Sequence, residues 1–368
     1  MSTPWGQAVN FDGPWSDEVR AFVIENALMW LRDYGFDGLR LDAVHAFHDT
    51  RALHILEELA TEVGLLSEAE ERPLALIAES DLNDPRLVRP VEMGGYGLDA
   101  HWADELHHAI HVYLAGENQG YYGDYRGLED LGRTLREGYL HQGRYSPARL
   151  RSHGRPPIGV RTGQLVVCSQ NHDQIGNRAY GERLSMLLTP EKLKAAAALV
   201  LLSPYVPMLF QGEEWAAQTP FLFFSDHESQ ELRTKIAQSR YEEFKAFNWA
   251  ENVPDPSDPE TFRRSCLDWN ELNSSRHQDM LRWYRTLIRL RRERSGAAAR
   301  PEVHWNTGED WLTMVCSGQL AVFNFSAQSR RIPFPGGNWS PVIFSDGPVD
   351  GMENLLPAGR TRIYTAVS

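Results

Sequence analysis

Three acids in this chain stand at the ends of short apolar runs: Asp42, Glu79 and Asp173. An acid in a loop is most often a cap or a solvated charge, so each alone means little. Their neighbours change the reading. Arg40 lies two residues before Asp42 in Phe36-Asp37-Gly38-Leu39-Arg40-Leu41-Asp42, and the period of two in a strand turns both side chains to one side. A guanidinium beside a carboxylate favours its ionised form, which a nucleophile needs. Glu79 follows Leu74-Ala75-Leu76-Ile77-Ala78, and a carboxyl group at the edge of apolar surroundings favours its protonated form, which a general acid needs. Asp173 sits in Asn171-His172-Asp173-Gln174, where imidazole and carboxylate can both hydrogen-bond sugar hydroxyls. A nucleophilic and a protonating acid are what hydrolysis of a glycosidic bond requires. In retaining enzymes the two carboxyl groups stand roughly 5–5.5 Å apart.

The elements that must position these acids alternate. Ser16 is a plausible N-cap for a helix carrying Val19, Phe22, Val23, Ala27, Trp30 and Leu31 at helical spacing, closed by Gly35. The run 36–42 reads as a strand. Asp49 can cap a second helix with Leu53, Leu56, Leu59 and Val63 on one face, and a strand over 74–79 follows. Further strands are expected near 98–102, 165–170 and 206–210, with helices from about Asp104, over 195–202 and over 278–293. Strands alternating with helices predict a parallel sheet. Wholly apolar strands predict cover on both faces, as in a (β/α) barrel, where chemistry sits at the C-terminal strand ends. After Gly296 the helical signal stops. Short β-like pieces such as 311–315 and 320–323 follow, separated by Pro and Gly clusters at 333–337 and near Pro348. The division this predicts is a barrel portion over 1–299 and a small all-β sandwich over 300–368.

Bulk properties narrow the partners. The chain has 368 residues, 42% hydrophobic and 24% charged, with a net charge of −13 and no basic run. Such a chain repels a phosphate backbone, so nucleic acid is not expected. An uncharged sugar is compatible with it. The longest apolar stretch, 195–210, is too short for a bilayer and is broken by Pro204 and Pro207. Cys168, Cys266 and Cys316 are odd in number and far apart, so neither a disulfide framework nor a metal site is expected. A reducing cytoplasm is the simplest location. No cofactor is expected.

Gly38-Leu39-Arg40-Leu41-Asp42-Ala43-Val44-His45 resembles the strand-4 motif of the α-amylase family of glycoside hydrolases. Ile77-Ala78-Glu79-Ser80-Asp81 resembles its strand-5 motif, and Ser169-Gln170-Asn171-His172-Asp173 its strand-7 motif. The resemblance implies Asp42 as nucleophile, Glu79 as general acid/base, and Asp173 as a transition-state-stabilising contact to the reacting sugar, with Arg40 and His172 beside them. Within the family, several stretches resemble the trehalose-releasing branch: Thr3-Pro4-Trp5-Gly6, Gly94-Gly95-Tyr96-Gly97-Leu98-Asp99-Ala100, the continuation Gln174-Ile175-Gly176-Asn177-Arg178, and Gln211-Gly212-Glu213-Glu214-Trp215. His45 stands where many α-amylases have lysine, which suits that branch. The likeness runs from Thr3 to about Trp269. It implies cleavage of the α-1,4 bond next to the terminal trehalose unit of maltooligosyl trehalose. It also implies sugar contacts by Asp104, His107, His108, Gln174 and Asn177. Trp102, Tyr121, Tyr122 and Trp215 are candidate flat faces for pyranose rings, although aromatics equally fill cores.

One departure stands out. An α-amylase-type barrel has eight strands, whereas five are legible here, matching strands 4 to 8. With strands 1 to 3 and their motif missing, the sheet cannot close, and its outer strands would be left unpaired. The expectation is a truncated or split enzyme whose partner is the missing N-terminal half. The rivals are another α-glucan enzyme, such as a branching enzyme or an amylase, and an inactive glucan-binding fragment.

Overall fold

The computed structural model describes residues 2–3, 6–246, 253–294, 299–347 and 354–367. Pro4 and Trp5 of the N-terminal motif, Gly296 and Pro348 lie outside the described residues. The chain divides into two compact units, 1–104 with 137–167, and 105–136 with 168–368.

The first unit carries four parallel strands in the order Gly38–Leu41, Ala75–Ala78, Ala100–Trp102 and Leu165–Val167. These are the expected strands, trimmed by a residue or more at their ends. Their parallel pairing follows from the helices between them: Ile55–Ala69 returns the chain from the first strand to the start of the second. Gly38 sets how closely the first pair approaches, since a Cβ there would lie 2.6 Å from the Ala75 carbonyl oxygen. The expectation of cover on both faces holds for Ala100–Trp102 and Leu165–Val167, whose residues are all buried. It fails for Gly38–Leu41, where every residue is half-buried. Among the described residues this strand is the sheet's outer member, paired on one side only, and no closed barrel forms.

Two helix starts differ from expectation. The first helix, Ser16–Arg32, includes Ser16 rather than being capped by it; Trp15 precedes it in the left-handed region. Its buried stripe is Ser16, Arg20, Ile24, Ala27 and Leu31, so Phe22 and Trp30 face outward. Helical spacing alone could not show this, because a buried ion pair decides the rotation. Arg20 is fully enclosed, pairs with Asp49 and Glu58, and donates to the carbonyls of Phe11 and Leu53. In the second helix His54, not Asp49, is the N-cap. Asp49 still accepts from the Ile55 amide at 2.7 Å, while Leu53 precedes the helix and is exposed.

The second unit holds helices Glu105–Ala115, Gly127–Glu137, Pro190–Leu201 and Ser275–Arg292. Thr189 caps the third of these, with Pro190 in its first turn. The expected strand over 206–210 is reduced to Val206–Pro207. At the end of the chain the helices give way to a five-stranded antiparallel sheet. Its order is Glu302–Asn306, Trp311–Cys316, Gln319–Asn324, Thr361–Ala366, Trp339–Phe344. A two-stranded piece pairs Arg330–Arg331 with Leu355–Leu356. Trp311, Leu320, Val322, Ile332, Leu356 and Tyr364 share one buried cluster there. The fold is thus α/β with a parallel sheet, followed by a small antiparallel β region. No helix among the described residues is long and apolar enough to cross a membrane.

Candidate active site

The strands Gly38–Leu41 and Ala75–Ala78 pair with Arg40 opposite Ile77 and Leu41 opposite Ala78. Carried one residue further, that register sets Asp42 beside Glu79. The backbone keeps it there: the Glu79 amide donates to the Leu41 carbonyl at 2.9 Å, and the Val44 amide to the Glu79 carbonyl at 3.1 Å. One guanidinium then joins the two acids. Arg40 Nη1 donates to Asp42 Oδ1 in a short contact, and Nη2 stands 3.0 Å from Glu79 Oε2. Both carboxylates therefore share one rim of the sheet, within reach of one cation. The Ala43 amide adds a further donor to Glu79 Oε2 at 2.7 Å. To aim it, Ala43 adopts φ 45°, ψ 45°, a left-handed conformation that costs a residue with a Cβ about 1–2 kcal/mol.

The two acids differ in surroundings. The Asp42 side chain is 77% exposed and that of Glu79 is 18% exposed. The first is open to an attacking approach, whereas the second is held by the Ala43 amide and the Arg40 guanidinium. Beneath Arg40 lies Trp102, whose ring centroid is 4.3 Å from the guanidinium carbon. Trp102 was a candidate sugar platform from sequence. It is 9% exposed, with its face under the arginine, so it serves to hold Arg40 by cation–π contact and packing. His101, completely buried, hydrogen-bonds the Trp102 carbonyl at 2.8 Å and contacts Tyr139 Oη closely. Burial pushes its pKa down and keeps the imidazole neutral. His45 is exposed on the turn after Ala43, and Asp104 is half-buried just after the Ala100–Trp102 strand.

In the second unit, Asp173 stands in the first turn of a short helix, His172–Gly176, with Asn171 as N-cap. The Asn171 side chain accepts from the Asp173 amide at 2.8 Å, and Gln174 Oε1 accepts from the Asn171 amide at 3.0 Å. This capping box fixes the turn. His172 Nε2 is 3.4 Å from Asp173 Oδ1, and both side chains are close to half exposed. Asn177 Oδ1 accepts from Arg240 at 2.9 Å. His108 is half-buried and bonded to Tyr125 Oη at 3.0 Å, while His107 is buried.

Trp215 is the sequence candidate that the structure removes from the open surface. It is 3% exposed, packs on Trp269, and donates from Nε1 to Glu271. A ring so enclosed has no open face for a sugar, and the Ser275–Arg292 helix also seats His277 against the Trp215 backbone carbonyl at 2.6 Å. Tyr122 is buried too, leaving Tyr121 exposed among these aromatics.

Sequence reasoning missed Glu213, which was quoted only within a motif. This carboxyl is buried, accepts from the Phe210 amide at 3.1 Å and from Tyr284 Oη at 3.2 Å, and is also bonded by Gln170, the residue before Asn171. Burial pushes its pKa up to about 8, so the group is largely protonated at neutral pH. Its signal in the sequence was slight: an acid next to Gly212 looks like any loop acid. Cys168 and Cys316 are buried, Cys266 is exposed, and all three are free thiols. Among the described residues no cluster of three His, Cys, Asp or Glu groups could hold a metal ion.

No protein-family model matches the chain. It is 49% identical over 362 residues to the malto-oligosyltrehalose trehalohydrolase of Rhizobium sp. (strain M-11), covering 96% of this chain and 60% of that protein. It is 53% identical over 291 residues to the enzyme of that name from Arthrobacter ramosus, covering 78% of this chain and 51% of that one. Among solved structures it matches a Salmonella typhimurium protein described as an α-amylase, with a TM-score of 0.86 and 33% identity over all of this chain and 63% of that one. The chain thus spans roughly half to three fifths of the length of the curated relatives it matches. Over the length it has, the chain is similar in sequence to the malto-oligosyltrehalose trehalohydrolases and in fold to a protein described as an α-amylase.

Proposed function

We propose that this chain carries the reacting acids of a retaining glycosidase that cleaves the α-1,4 bond beside the terminal trehalose unit of maltooligosyl trehalose, releasing trehalose. The observation that carries this reading is the single guanidinium of Arg40 joining Asp42 and Glu79 on adjacent strand ends. Asp42, open and paired with Arg40, attacks the anomeric carbon while Glu79 protonates the departing oxygen. Glu79 then takes a proton from water, which attacks the same carbon and releases Asp42. Asp173 and His172 bind hydroxyls of the reacting sugar, and Asp104, His45, His107, His108, Gln174 and Asn177 contribute outer contacts. Likeness to named trehalohydrolases supports this substrate over a branching enzyme's.

The half-buried strand Gly38–Leu41, with Trp30, Tyr34 and Phe36 exposed nearby, supports a second element of the reading. A further polypeptide segment with the upstream strands pairs there, and without it the chain aggregates or is inactive. We read the region from 300 onward as a small domain of its own, supported by its separate apolar cluster, and the location as cytoplasmic, supported by the three free thiols. The test is trehalose release from maltooligosyl trehalose, measured for this chain and for a longer polypeptide that restores the upstream strands. The longer form is expected to turn over and to lose turnover on Asp42→Asn. Unchanged trehalose release by the Asp42→Asn protein ends the reading.

A further inference from the structure

The second unit contains a cavity of about 540 Å³ whose wall includes Lys194, Asp279, Arg282, Trp283, Ile343 and Phe344. That volume lies in the range of small-molecule sites. None of these residues takes part in the proposed glycosidase reaction, so a ligand bound here would be independent of it.

Lys194 is the unusual member. It belongs to the Pro190–Leu201 helix, where Leu193 and Ala195 to Leu201 are all buried, and it is itself only 8% exposed. A lysine in such a helix requires partners for its ammonium. Nζ lies 2.7 Å from Asp279 Oδ2 and 3.3 Å from the Ser345 carbonyl. Asp279 is shared, since Arg282 approaches its other oxygen at 3.6 Å. Among the described residues two cations therefore face one carboxylate, which leaves one positive charge over at a cleft in a chain whose net charge is −13. A structural ion pair between the two helices would explain Lys194 and Asp279. It does not explain the second cation or the cavity beside them.

The other wall is the outer strand of the terminal sheet, Trp339–Phe344, whose ladder is irregular between Pro341 and Ile343. An outer strand offers backbone donors and acceptors to a ligand. Trp283 and Phe344 are buried, at 1% and 8% exposure, so no open aromatic face is present for stacking a nucleobase. What fits is a compact, hydroxyl-rich molecule carrying one strong anion.

We propose that this cavity binds a sugar monophosphate, with Arg282 and Lys194 on the phosphate, Asp279 accepting from sugar hydroxyls, and the Ile343–Phe344 wall against the ring carbons. Arginine forks suit phosphate oxygens in particular. The test is calorimetric titration of the longer polypeptide that restores the upstream strands with glucose 6-phosphate, with glucose and inorganic phosphate as the comparison ligands. Glucose 6-phosphate is expected to bind saturably, more tightly than either comparison ligand, and less tightly as salt is raised. Arg282→Ala, at a side chain 70% exposed and so tolerated by the fold, is expected to weaken binding by about tenfold or more, the loss of one charge-assisted hydrogen bond. Lys194→Met is the second probe, with melting temperature as its folding control. No saturable binding of glucose 6-phosphate, inorganic phosphate bound as tightly as the sugar phosphate, or affinity untouched by Arg282→Ala would each overturn the proposal.

Discussion

Asp42 and Asp173 close motifs of similar look, but the molecule builds their surroundings in opposite ways. Around Asp42 the fixing contacts come from far along the chain. Glu79 is 37 positions on in the sequence, and Trp102 lies under Arg40 from a third strand. Around Asp173 they come from within four residues, through the Asn171 and Gln174 capping box. A site of the first kind exists only when the parallel register is correct. A site of the second kind is written into its own tetrapeptide, and needs the rest of the unit only to hold the turn in place. The first should therefore be the more sensitive to change at a distance, and the second to change of its own cap.

The largest effect tests whether the Asp173 turn is as local as its bonds suggest. Glu213 supports Gln170 from outside the turn, and its carboxyl holds a proton far more tightly folded than unfolded. The folded pKa is raised, so the stability this group contributes is fully present below its unfolded value near 4.5 and is lost as pH rises through about 8. Urea unfolding at pH 5, 7 and 9 should show stability falling by several kcal/mol across that window. Glu213→Gln, neutral at every pH, should flatten the fall. An unchanged slope would leave the turn with no dependence on this carboxyl.

Next comes the other side of the comparison. Arg40→Met removes the link between the two carboxylates and should lower the trehalose release proposed for the longer polypeptide about a hundredfold in kcat, the scale of a misplaced catalytic group. Arg40→Lys should not restore it, because a single ammonium cannot span both acids as a fork does. Rescue by lysine would show that charge alone, and not geometry, is what Arg40 supplies.

Two smaller effects complete the contrast. Asn171→Ala should cost about 1 kcal/mol of stability through the lost cap, read as a shift in the urea midpoint, and should leave the Asp42–Glu79 pairing intact. Ala43→Gly should change stability by no more than about 1 kcal/mol in the favourable direction, since relief of the left-handed strain is partly offset by the freedom glycine gains when unfolded. A loss of stability on Ala43→Gly would mean that its φ of 45° is not strained.

Much of the fold was legible because it rests on short-range pattern. Apolar runs marked the four parallel strands of the first unit, and the terminal β pieces 311–315 and 320–323 fall within observed strands. Where spacing misled, a buried polar contact had outvoted it. Arg20, with its two carboxylates, turned the first helix so that Phe22 and Trp30 face out. Trp102 and Trp215 posed a different problem, since an aromatic that packs and one that stacks on a sugar are the same letter.

The sequence by itself determined which residues are acids and that Arg40 and Asp42 share a side of one strand. Each of these depends on neighbours within four positions. Only the tertiary structure decided that Glu79 stands opposite Asp42, that Arg40 reaches both, and that Trp102 backs Arg40 while Trp215 is enclosed. Those facts depend on strand register and on which surfaces are covered. Register is set by hydrogen bonds between segments dozens of residues apart, and no local spacing encodes it.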